Sequence, residues 1–337
     1  MKKYNVAVLG ATGAVGREMI RVLDERAFPI EELRVLASAR SEGRKIRFAG
    51  DQIEVRRADE DAFKGIDIVL GAVDANFAER FAPAIASAGA VFVDNSSAFR
   101  MRNDVPLVIP EINPQDVKNH RGIISNPNCS TIITLMALWP IARISPIKTL
   151  VASTYQAVSG AGTEGLVELE NEMEALMTGG QVQPKVFSHQ IAYNLIPCIG
   201  GQDDLFYTTE EEKLRNEGRK IMHNPDMKVT CTCVRVPVLR SHSISATFTT
   251  ENKVTVEEAR AAIAAGEGVK LVDDLANKVY PMPLDTSGID TVYVGRIRED
   301  QTSENGLTLF CCGDQIRKGA ATNAVQIAEL LVRDGLV

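Results

Sequence analysis

The chain has 337 residues, of which 45% are hydrophobic, and it carries a formal net charge of -7 at pH 7. This length suits two domains of about 100–200 residues each, and the acidic balance argues against a nucleic-acid partner, because binding a phosphate backbone needs a concentrated basic face. The six cysteines are scattered and have no His or Cys at zinc-ligand spacing, so we expect free thiols, a cytoplasmic location and no bound metal.

The N-terminal segment predicts a strand, a glycine turn and a helix. Residues 5–9 are a short apolar run, and the glycine turn that follows reads Gly10-Ala11-Thr12-Gly13-Ala14-Val15-Gly16. The spacing GxxGxxG is a relative of the GxGxxG fingerprint, in which glycines let the backbone approach a pyrophosphate on the helix N-terminus. A bare structural turn is the alternative. We predict a dinucleotide site with contacts from Gly10, Thr12, Gly13, Ala14 and Val15.

The end of the second predicted strand, residues 32–38, indicates which dinucleotide binds. A site that prefers NAD normally has an acid there to bond the ribose hydroxyls. This chain has Ser38, Arg40 and Ser41 instead. Guanidinium and hydroxyl groups can bond the extra phosphate of NADP, which a carboxylate would repel. We therefore predict NADP, with Arg40 as its main phosphate ligand, although an ordinary solvated loop has a similar composition.

Strands and helices continue to alternate through the first third of the chain. Residues 66–70 and 91–94 have the character of buried strands, and residues 75–88 have helical spacing. This alternation predicts a parallel doubly wound sheet, whose ligands lie at the carboxyl ends of the strands. Arg100 follows one such end and is a candidate anion ligand, or else a surface arginine.

Cys129 precedes an apolar run and is predicted to lie on the first turn of a helix. The partial positive charge at a helix N-terminus favours a thiolate, so Cys129 is a candidate nucleophile. The alternative is a small buried hydrophobic residue. The apolar run, residues 132–144, includes Pro140 and Arg143 and is shorter than the roughly 20 residues that span a membrane, so we expect no membrane contact.

The pattern changes after about residue 145. A strand is predicted from residue 151, and helices from Thr163, from Thr209 and, with a Thr255/Glu258 capping box, from residue 256. Alternating residues near 230–250 favour an antiparallel sheet with one packed face. The predicted fold is therefore α/β, with a Rossmann-type doubly wound parallel sheet over residues 1–128 and 316–337. An α+β domain with a mostly antiparallel sheet is predicted over residues 129–315.

Four motifs, in order, carry a resemblance over nearly the whole chain. They are GATGAVG at 10–16, SNPNCST at 125–131, YQAVSGAG at 155–162 and RVPVLRSHS at 235–243. With these motifs the chain resembles the aspartate-β-semialdehyde dehydrogenases. The resemblance implies reversible, NADPH-dependent reduction of β-aspartyl phosphate to aspartate semialdehyde with release of inorganic phosphate. That reaction serves the biosynthesis of lysine (through diaminopimelate), threonine, methionine and isoleucine. It also implies a homodimer that pairs through the second, catalytic domain.

The resemblance further implies a role for individual residues. Cys129 is the nucleophile that forms an acyl thioester, His242 is the acid/base, and Gln156 positions the substrate. The substrate-binding residues are Arg235 for the carboxylate, Glu217 for the amino group, and Arg100 and Lys220 for the phosphate. Ser159, Gly160 and, more weakly, Gln315 add contacts to the cofactor.

Each assignment has an alternative. His242 could be a structural histidine, and Glu217 with Lys220 could be an ordinary ion pair on a helix surface. N-acetyl-γ-glutamyl-phosphate reductase runs the same chemistry on an acylated substrate, but an acylated nitrogen does not need the acid that Glu217 supplies. A non-catalytic NADP-binding protein is the other rival, and the presence of both Cys129 and His242 argues against it.

Overall fold

The structure, a computed structural model, describes residues 2–337 and divides them into two compact units. The first unit contains the chain up to Asn128 together with Ala320–Val337, and the second contains Cys129–Gly319. Met1 lies outside the described residues. None of the helices in residues 2–337 combines the length and the apolar character that crossing a bilayer requires.

The first unit is built on a six-stranded sheet of order β5-β2-β1-β6-β7-β8, in which every pair of neighbours is parallel. Its strands and the β3/β4 hairpin are β1 (Tyr4–Leu9), β2 (Ile30–Ala37), β3 (Lys45–Phe48), β4 (Asp51–Glu54), β5 (Arg56–Arg57), β6 (Ile68–Gly71), β7 (Val91–Asp94) and β8 (Ile123–Ser125). The strand order reverses beside β1, as in other doubly wound sheets, where ligands bind outside the carboxyl ends of the strands. The predicted parallel fold is confirmed.

Helices cover both faces of this sheet. The first two are α1 (Ala14–Glu25) and α2 (Ala75–Ser87). Val8 of β1 belongs to the core that packs around α1, whereas Ala7 belongs to the core around α2. This division follows from the alternation of side chains along a strand. Because both faces are covered, β7 is buried along its whole length, which explains why its first three residues, Val91, Phe92 and Val93, are all apolar.

The second unit has a mixed six-stranded sheet of order β10-β9-β11-β14-β13-β12. Its elements are α3 (Cys129–Ala142), β9 (Ile147–Gln156), α4 (Thr163–Thr178), α5 (Thr209–Ile221), β10 (Lys228–Arg235), β11 (His242–Thr250), α6 (Val256–Ala264), β12 (Val269–Leu271), α7 (Pro283–Thr286), β13 (Val292–Glu299) and β14 (Gly306–Gly313). The pairs β9/β11, β11/β14 and β13/β14 are antiparallel, so the sheet is mostly antiparallel as predicted. However, β10 pairs with β9 in parallel, which the alternation in its sequence did not indicate.

The burial of helix α3 on all sides accounts for its apolar composition. It contacts β11, β13 and β14 on the sheet as well as α5 and α6. Every residue from Ser130 to Leu138 is buried, which is why this helix is apolar on all sides rather than along one stripe. Burying each of its large aliphatic side chains contributes about 1.5–3 kcal/mol relative to exposure.

The chain ends by returning to the first unit. A π-helical turn at Arg317–Ala321 leads into α8 (Thr322–Arg333). From α8, Val325, Ile327 and Leu331 belong to the same core as α1. The first unit is therefore assembled from two separated stretches of sequence.

Two predicted helix starts shift by one residue. Thr208, rather than Thr209, caps α5 and forms a capping box with Glu211. Gly162, with a left-handed φ of 82°, precedes α4, so Thr163 is its first helical residue rather than its cap. The Thr255/Glu258 capping box at α6 is present as predicted.

Candidate active site

The glycine turn lies between β1 and α1 and brings two stretches of backbone into close contact. Gly10 has a φ of 87°, and a Cβ atom there would lie 2.3 Å from the carbonyl oxygen of Ala72. A Cβ on Gly16 would lie 2.2 Å from the carbonyl oxygen of Gly10. Glycine is therefore required at both positions. No side chain caps the start of α1 at Gly13, so its backbone N–H groups fit a phosphate.

The predicted NADP-selective residues lie beyond the end of β2. Ser38 and Arg40 are exposed, whereas Ser41 is buried in a short 3₁₀ turn. The hydroxyl of Thr12, from the glycine turn, donates to the Ser41 hydroxyl over 3.4 Å. The fold thus brings the glycine turn and the Ser38–Ser41 segment together at the carboxyl ends of β1 and β2, and it leaves the Arg40 guanidinium in solvent. This arrangement fits NADP.

Arg100 is also in the first unit, where it is buried rather than a surface arginine. Its Nε donates to the carbonyl oxygen of Asn126 over 3.0 Å, and its Nη2 donates to that of Asn95 over 2.6 Å. These bonds fix the guanidinium beside the segment that leads to Cys129. Burial also raises the pKa of the neighbouring Asp94 carboxyl, against the opposing effects of Ser96 and Arg100.

A chain of amides that the sequence did not reveal holds the same segment. Asn126 donates from Nδ2 to Oδ1 of Asn95 over 2.7 Å, and Asn323 of α8 donates to Oδ1 of Asn126 over 2.6 Å. The SNPN motif is therefore anchored by a residue almost two hundred positions away. The only signal in the sequence for this anchoring is the motif itself, in which two asparagines flank a proline.

Cys129 and His242 meet in the second unit. Cys129 is the first residue of α3 and is half-buried, and its Sγ lies 3.4 Å from Nε2 of His242, the first residue of β11. The N-terminus of a helix carries partial positive charge, which favours a thiolate at Cys129. Gly319 in the π-helical turn packs closely against Cys129, because a Cβ atom at position 319 would lie 3.1 Å from the Cβ of Cys129.

The imidazole of His242 is held in one neutral tautomer. It is fully buried, and its Nδ1 accepts a hydrogen bond from the backbone N–H of Ala157 over 3.1 Å. Because a backbone N–H can only donate, Nδ1 carries no proton, and the proton of the neutral ring is on Nε2, facing the sulfur. Burial, and then the charge of Arg235, lower the pKa of His242 to about 3.

Arg235 ends β10 beside this pair. Its Nη1 donates to the carbonyl oxygen of Ala157 over 2.7 Å, and its guanidinium lies over the Phe187 ring, 5.8 Å from the centroid. Burial lowers the pKa of Arg235, partly offset by its attraction to Cys129. A Cβ on Gly160 would lie 2.8 Å from Nη1 of Arg235 and 3.3 Å from Cε1 of His242. Glycine at this position lets both side chains share one small volume.

Helix α5 carries the next predicted residues and packs against both α3 and β10. Glu217 is only 2% exposed, so it is not part of an ordinary ion pair on the helix surface. Lys220, one turn later, is half-buried. Gln156 is buried at the end of β9, where its amide bonds Thr154 and Glu210. Glu210 was not among the predicted site residues.

Ser159 and Gln315 are bonded to each other and to the turn before His242. Gln315 donates from Nε2 to the Ser159 hydroxyl, which in turn donates to the carbonyl oxygen of Leu239 over 2.5 Å. Oε1 of Gln315 accepts from the backbone N–H of Ser241 over 2.8 Å. Ser241 has a φ of 76°, an uncommon conformation for a side chain other than glycine. Both residues therefore help to hold the strained turn that presents His242.

The chain matches two protein-family models. Residues 5–120 match the model for the NAD binding domain of semialdehyde dehydrogenase, and residues 138–318 match the model for its dimerisation domain. The chain is 48% identical over 330 residues to the aspartate-semialdehyde dehydrogenase of Synechocystis sp., covering 98% of each chain. It is 50% identical over 339 residues to that of Aquifex aeolicus, covering 99% of each.

A solved structure agrees with these matches. The crystal structure of aspartate semialdehyde dehydrogenase II complexed with ASA from Vibrio cholerae has a TM-score of 0.96 and 42% sequence identity, with 99% of each chain covered. At these identities and coverages the resemblance seen in the four motifs extends through both units. The chain belongs to the aspartate-semialdehyde dehydrogenase family.

Proposed function

We propose that this chain catalyses the family's reaction, the reversible NADPH-dependent reductive dephosphorylation of L-β-aspartyl phosphate to L-aspartate-β-semialdehyde. One observation carries the proposal. Cys129 lies at the N-terminus of α3, and its sulfur is 3.4 Å from Nε2 of the buried His242 imidazole. A nucleophile beside a group that stabilises charge is the arrangement that acyl transfer needs. From the same family membership we infer that the reaction serves the biosynthesis of lysine, threonine, methionine and isoleucine.

In the proposed mechanism the Cys129 thiolate attacks the carbonyl carbon of the acyl phosphate. A carbon–sulfur bond forms, the carbon–oxygen bond to phosphate breaks, and inorganic phosphate leaves a thioester on Cys129. NADPH, when bound, supplies the hydride that reduces this thioester. The carbon–sulfur bond of the resulting hemithioacetal then breaks, which releases the aldehyde and restores the thiolate.

His242 is proposed to stabilise the negative charge that alternates between oxygen and sulfur. Its Nε2–H already faces the sulfur, and a reacting carbonyl oxygen beside that sulfur would lie within its reach. Complete transfer of that proton from a neutral ring would leave an imidazolate unless Nδ1 gained a proton, and the Ala157 N–H opposes this. The sequence predicts an acid/base role; the tautomer that the Ala157 contact implies favours hydrogen-bond donation by the neutral ring.

Substrate recognition is proposed to follow the charges of the buried residues. Arg235 presents a planar fork that matches a carboxylate, and Glu217 supplies a negative charge for a free amino group. Lys220 and, from the first unit, Arg100 are the proposed phosphate ligands. A carboxylate at position 217 favours an aspartyl substrate over an N-acetylated one, whose nitrogen has no charge to neutralise.

The substrate assignment is tested by comparing two acyl phosphates. We expect NADPH oxidation with β-aspartyl phosphate to exceed that with N-acetyl-γ-glutamyl phosphate by at least about 10³-fold in kcat/KM, because unpaired polar groups in a binding site are costly. Initial rates at 340 nm measure both. A preference for the acetylated substrate would indicate that the chain is an N-acetyl-γ-glutamyl-phosphate reductase. No turnover with either substrate would favour a non-catalytic NADP-binding protein.

The first unit is proposed to bind NADP through Gly10, Thr12, Gly13, Ala14 and Val15, with Ser38, Arg40 and Ser41 at the 2′-phosphate. Ser159, Gly160 and Gln315 of the second unit are proposed as further contacts. The uncapped start of α1 and the exposed guanidinium of Arg40 support this assignment.

Arg40→Ala tests the cofactor assignment. We expect the KM for NADP to rise by roughly 10-fold or more while the KM for NAD changes little, because a charge-assisted bond to phosphate is lost. Steady-state kinetics with both cofactors give the ratio. Arg44→Ala, which removes an exposed arginine four residues along, is the control. Unchanged preference in Arg40→Ala would contradict the role of this residue.

A homodimer in the cytoplasm is also proposed. The outer face of the second unit's sheet exposes 53% of Val151 and 38% of Tyr155, whose ring lies 6.2 Å from that of Phe310. Apolar groups on an open sheet face are typical of a protein interface, and this unit matches the dimerisation-domain model. A purely monomeric species in sedimentation equilibrium would contradict the dimer.

The proposed cytoplasmic location is supported by the need for a free Cys129 thiol, which a reducing compartment maintains.

A further inference from the structure

Two carboxylates on one face of α4 bind the backbone of the chain that follows the helix. Glu168 accepts from three successive N–H groups, those of residues 185–187, over 2.8, 2.6 and 3.0 Å. One turn later along α4, Glu172 accepts from the N–H groups of residues 191 and 192, each over 2.8 Å. The two glutamates are only 8% and 4% exposed. Residues 185–192 form no helix or strand, so these bonds supply partners that their backbone groups would otherwise lack.

The anchored segment, by which we mean residues 185–196, is bonded at its far end to the backbone of Arg235. The N–H of Ile196 donates to the carbonyl oxygen of Arg235 over 3.0 Å, and the N–H of Arg235 donates to that of Ile196 over 2.8 Å. Between the two ends, Ile191 is fully buried in a small core with Leu169 of α4. The anchored segment is therefore fixed both to α4 and to the end of β10.

Phe187 is the residue of the anchored segment that meets the Arg235 guanidinium. The guanidinium carbon lies over the phenylalanine ring, 5.8 Å from its centroid, within the range at which a cation is attracted to an aromatic face. A Cβ on Gly165 would lie 3.1 Å from Cζ of the ring, so the tip of the ring packs against the backbone of α4. Since Glu168 accepts the N–H of Phe187, both the backbone and the ring of this residue are held.

The plane of the Arg235 guanidinium is defined by few contacts. Within residues 2–337 the guanidinium makes one hydrogen bond, from Nη1 to the carbonyl oxygen of Ala157. One bond at one nitrogen leaves rotation about that bond open, whereas bidentate binding of a carboxylate needs the whole planar fork in one orientation. Because guanidinium planes stack on aromatic faces, the Phe187 ring supplies a second constraint.

We propose that Phe187 is a positioning residue, whose ring fixes the plane of the Arg235 guanidinium for the substrate carboxylate, and that Glu168 holds Phe187 in place. The inference rests on the proposed role of Arg235 in substrate binding. It adds to that role a cause for the orientation of the guanidinium, which is an aromatic ring on a segment bound by two buried carboxylates.

Phe187→Leu tests the inference, with Phe206→Leu as the matched control. Leucine keeps an apolar side chain but has no ring face, and Phe206 is 83% exposed in the same unit. In assays with aspartate semialdehyde, phosphate and NADP, we expect Phe187→Leu to raise the KM for the semialdehyde by about fivefold or more. The kcat and the KM values for phosphate and NADP should stay within about twofold of the control, because Arg235 is proposed to bind only the carboxylate. A rise in all three KM values would indicate a general loosening of the site and would overturn the inference.

A double-mutant cycle distinguishes positioning of Arg235 from direct contact between the ring and the substrate. In an Arg235→Lys background, whose ammonium has no plane to orient, Phe187→Leu should add less than about twofold to the semialdehyde KM. The same rise in both backgrounds would overturn the inference and indicate direct contact. A parent-like KM in Phe187→Leu beside a raised KM in Arg235→Lys would overturn this inference alone. A parent-like KM in Arg235→Lys would overturn the proposed role of Arg235 together with it.

Glu168→Gln provides a second route to the same conclusion, with Glu170→Gln as its control. A glutamine amide has one acceptor oxygen where the carboxylate has two, so it cannot accept all three N–H groups of residues 185–187 in the same way. We expect the semialdehyde KM to rise as in Phe187→Leu, because the ring is no longer held. Glu170→Gln removes the same charge from an exposed position of α4 and should keep the parent KM. An unchanged KM in Glu168→Gln, in a protein whose Phe187→Leu variant is impaired, would contradict the role of Glu168.

Discussion

Cys129→Ala is expected to lower phosphate-dependent NADPH formation from aspartate semialdehyde by at least about 10⁴-fold, because no thioester can form without the sulfur. The substitution removes one atom at the start of α3 and leaves the glycine turn of the first unit untouched. NADP binding should therefore persist at its original affinity. Initial rates measure the first effect, and a fluorescence titration with NADPH measures the second.

Cys198→Ser is the matched control for that substitution. Cys198 is also a free thiol, and it is exposed, so the replacement of its sulfur should leave the rate unchanged. Iodoacetamide should inactivate the parent and the Cys198→Ser variant equally, with the label recovered on Cys129. Turnover in Cys129→Ala within tenfold of the parent would remove this residue from the proposed mechanism.

His242→Ala is expected to lower kcat by roughly 10²–10³-fold, the usual cost of losing one donor to a developing oxyanion. His242→Gln should recover part of that loss, because a glutamine amide can donate from nearly the same place as Nε2 but cannot carry a proton between groups. Comparing kcat for the two variants separates hydrogen-bond donation from acid/base catalysis. Equal loss in both would favour proton transfer by the imidazole.

The pH dependence gives an independent measurement of the same residue. Since burial lowers the pKa of His242 to about 3, the ring stays neutral from pH 5 to 8 and should contribute no inflection to kcat in that range. In the unfolded chain, His242 binds a proton below a pH of about 6.5. Its contribution to stability is therefore present above that pH and is lost as the pH falls toward 3. His242→Gln should lose less stability than the parent on acidification.

Local signals in the sequence were sufficient to predict much of the fold and the type of cofactor. The glycine turn lies between a buried strand and an amphipathic helix, and all three patterns are contained within some twenty residues, so β1 and α1 could be predicted together with the need for a dinucleotide. Cys129 was placed correctly on the first turn of α3 because the apolar run begins immediately after it.

Contacts between distant residues could not be predicted in this way. The tautomer of His242 depends on Ala157, and the amide of Gln156 bonds Glu210, 85 and 54 positions away respectively. The parallel pairing of β10 with β9 was missed because alternation marks a half-buried strand but not the direction of its neighbour. At α5, Thr208 and Thr209 both have a glutamate three residues later, so the capping pattern alone did not choose between them.

The return of α8 to the first unit affects how the protein is made. Val325, Ile327 and Leu331 belong to the core around β1, and Asn323 is the last member of the amide chain that begins at Asn95. A ribosome synthesises these residues only after the whole of the second unit. The nascent first unit consequently lacks part of its core until the second unit has been made, and a chain that stops before α8 would leave the apolar surface of that core open to chaperones and proteases.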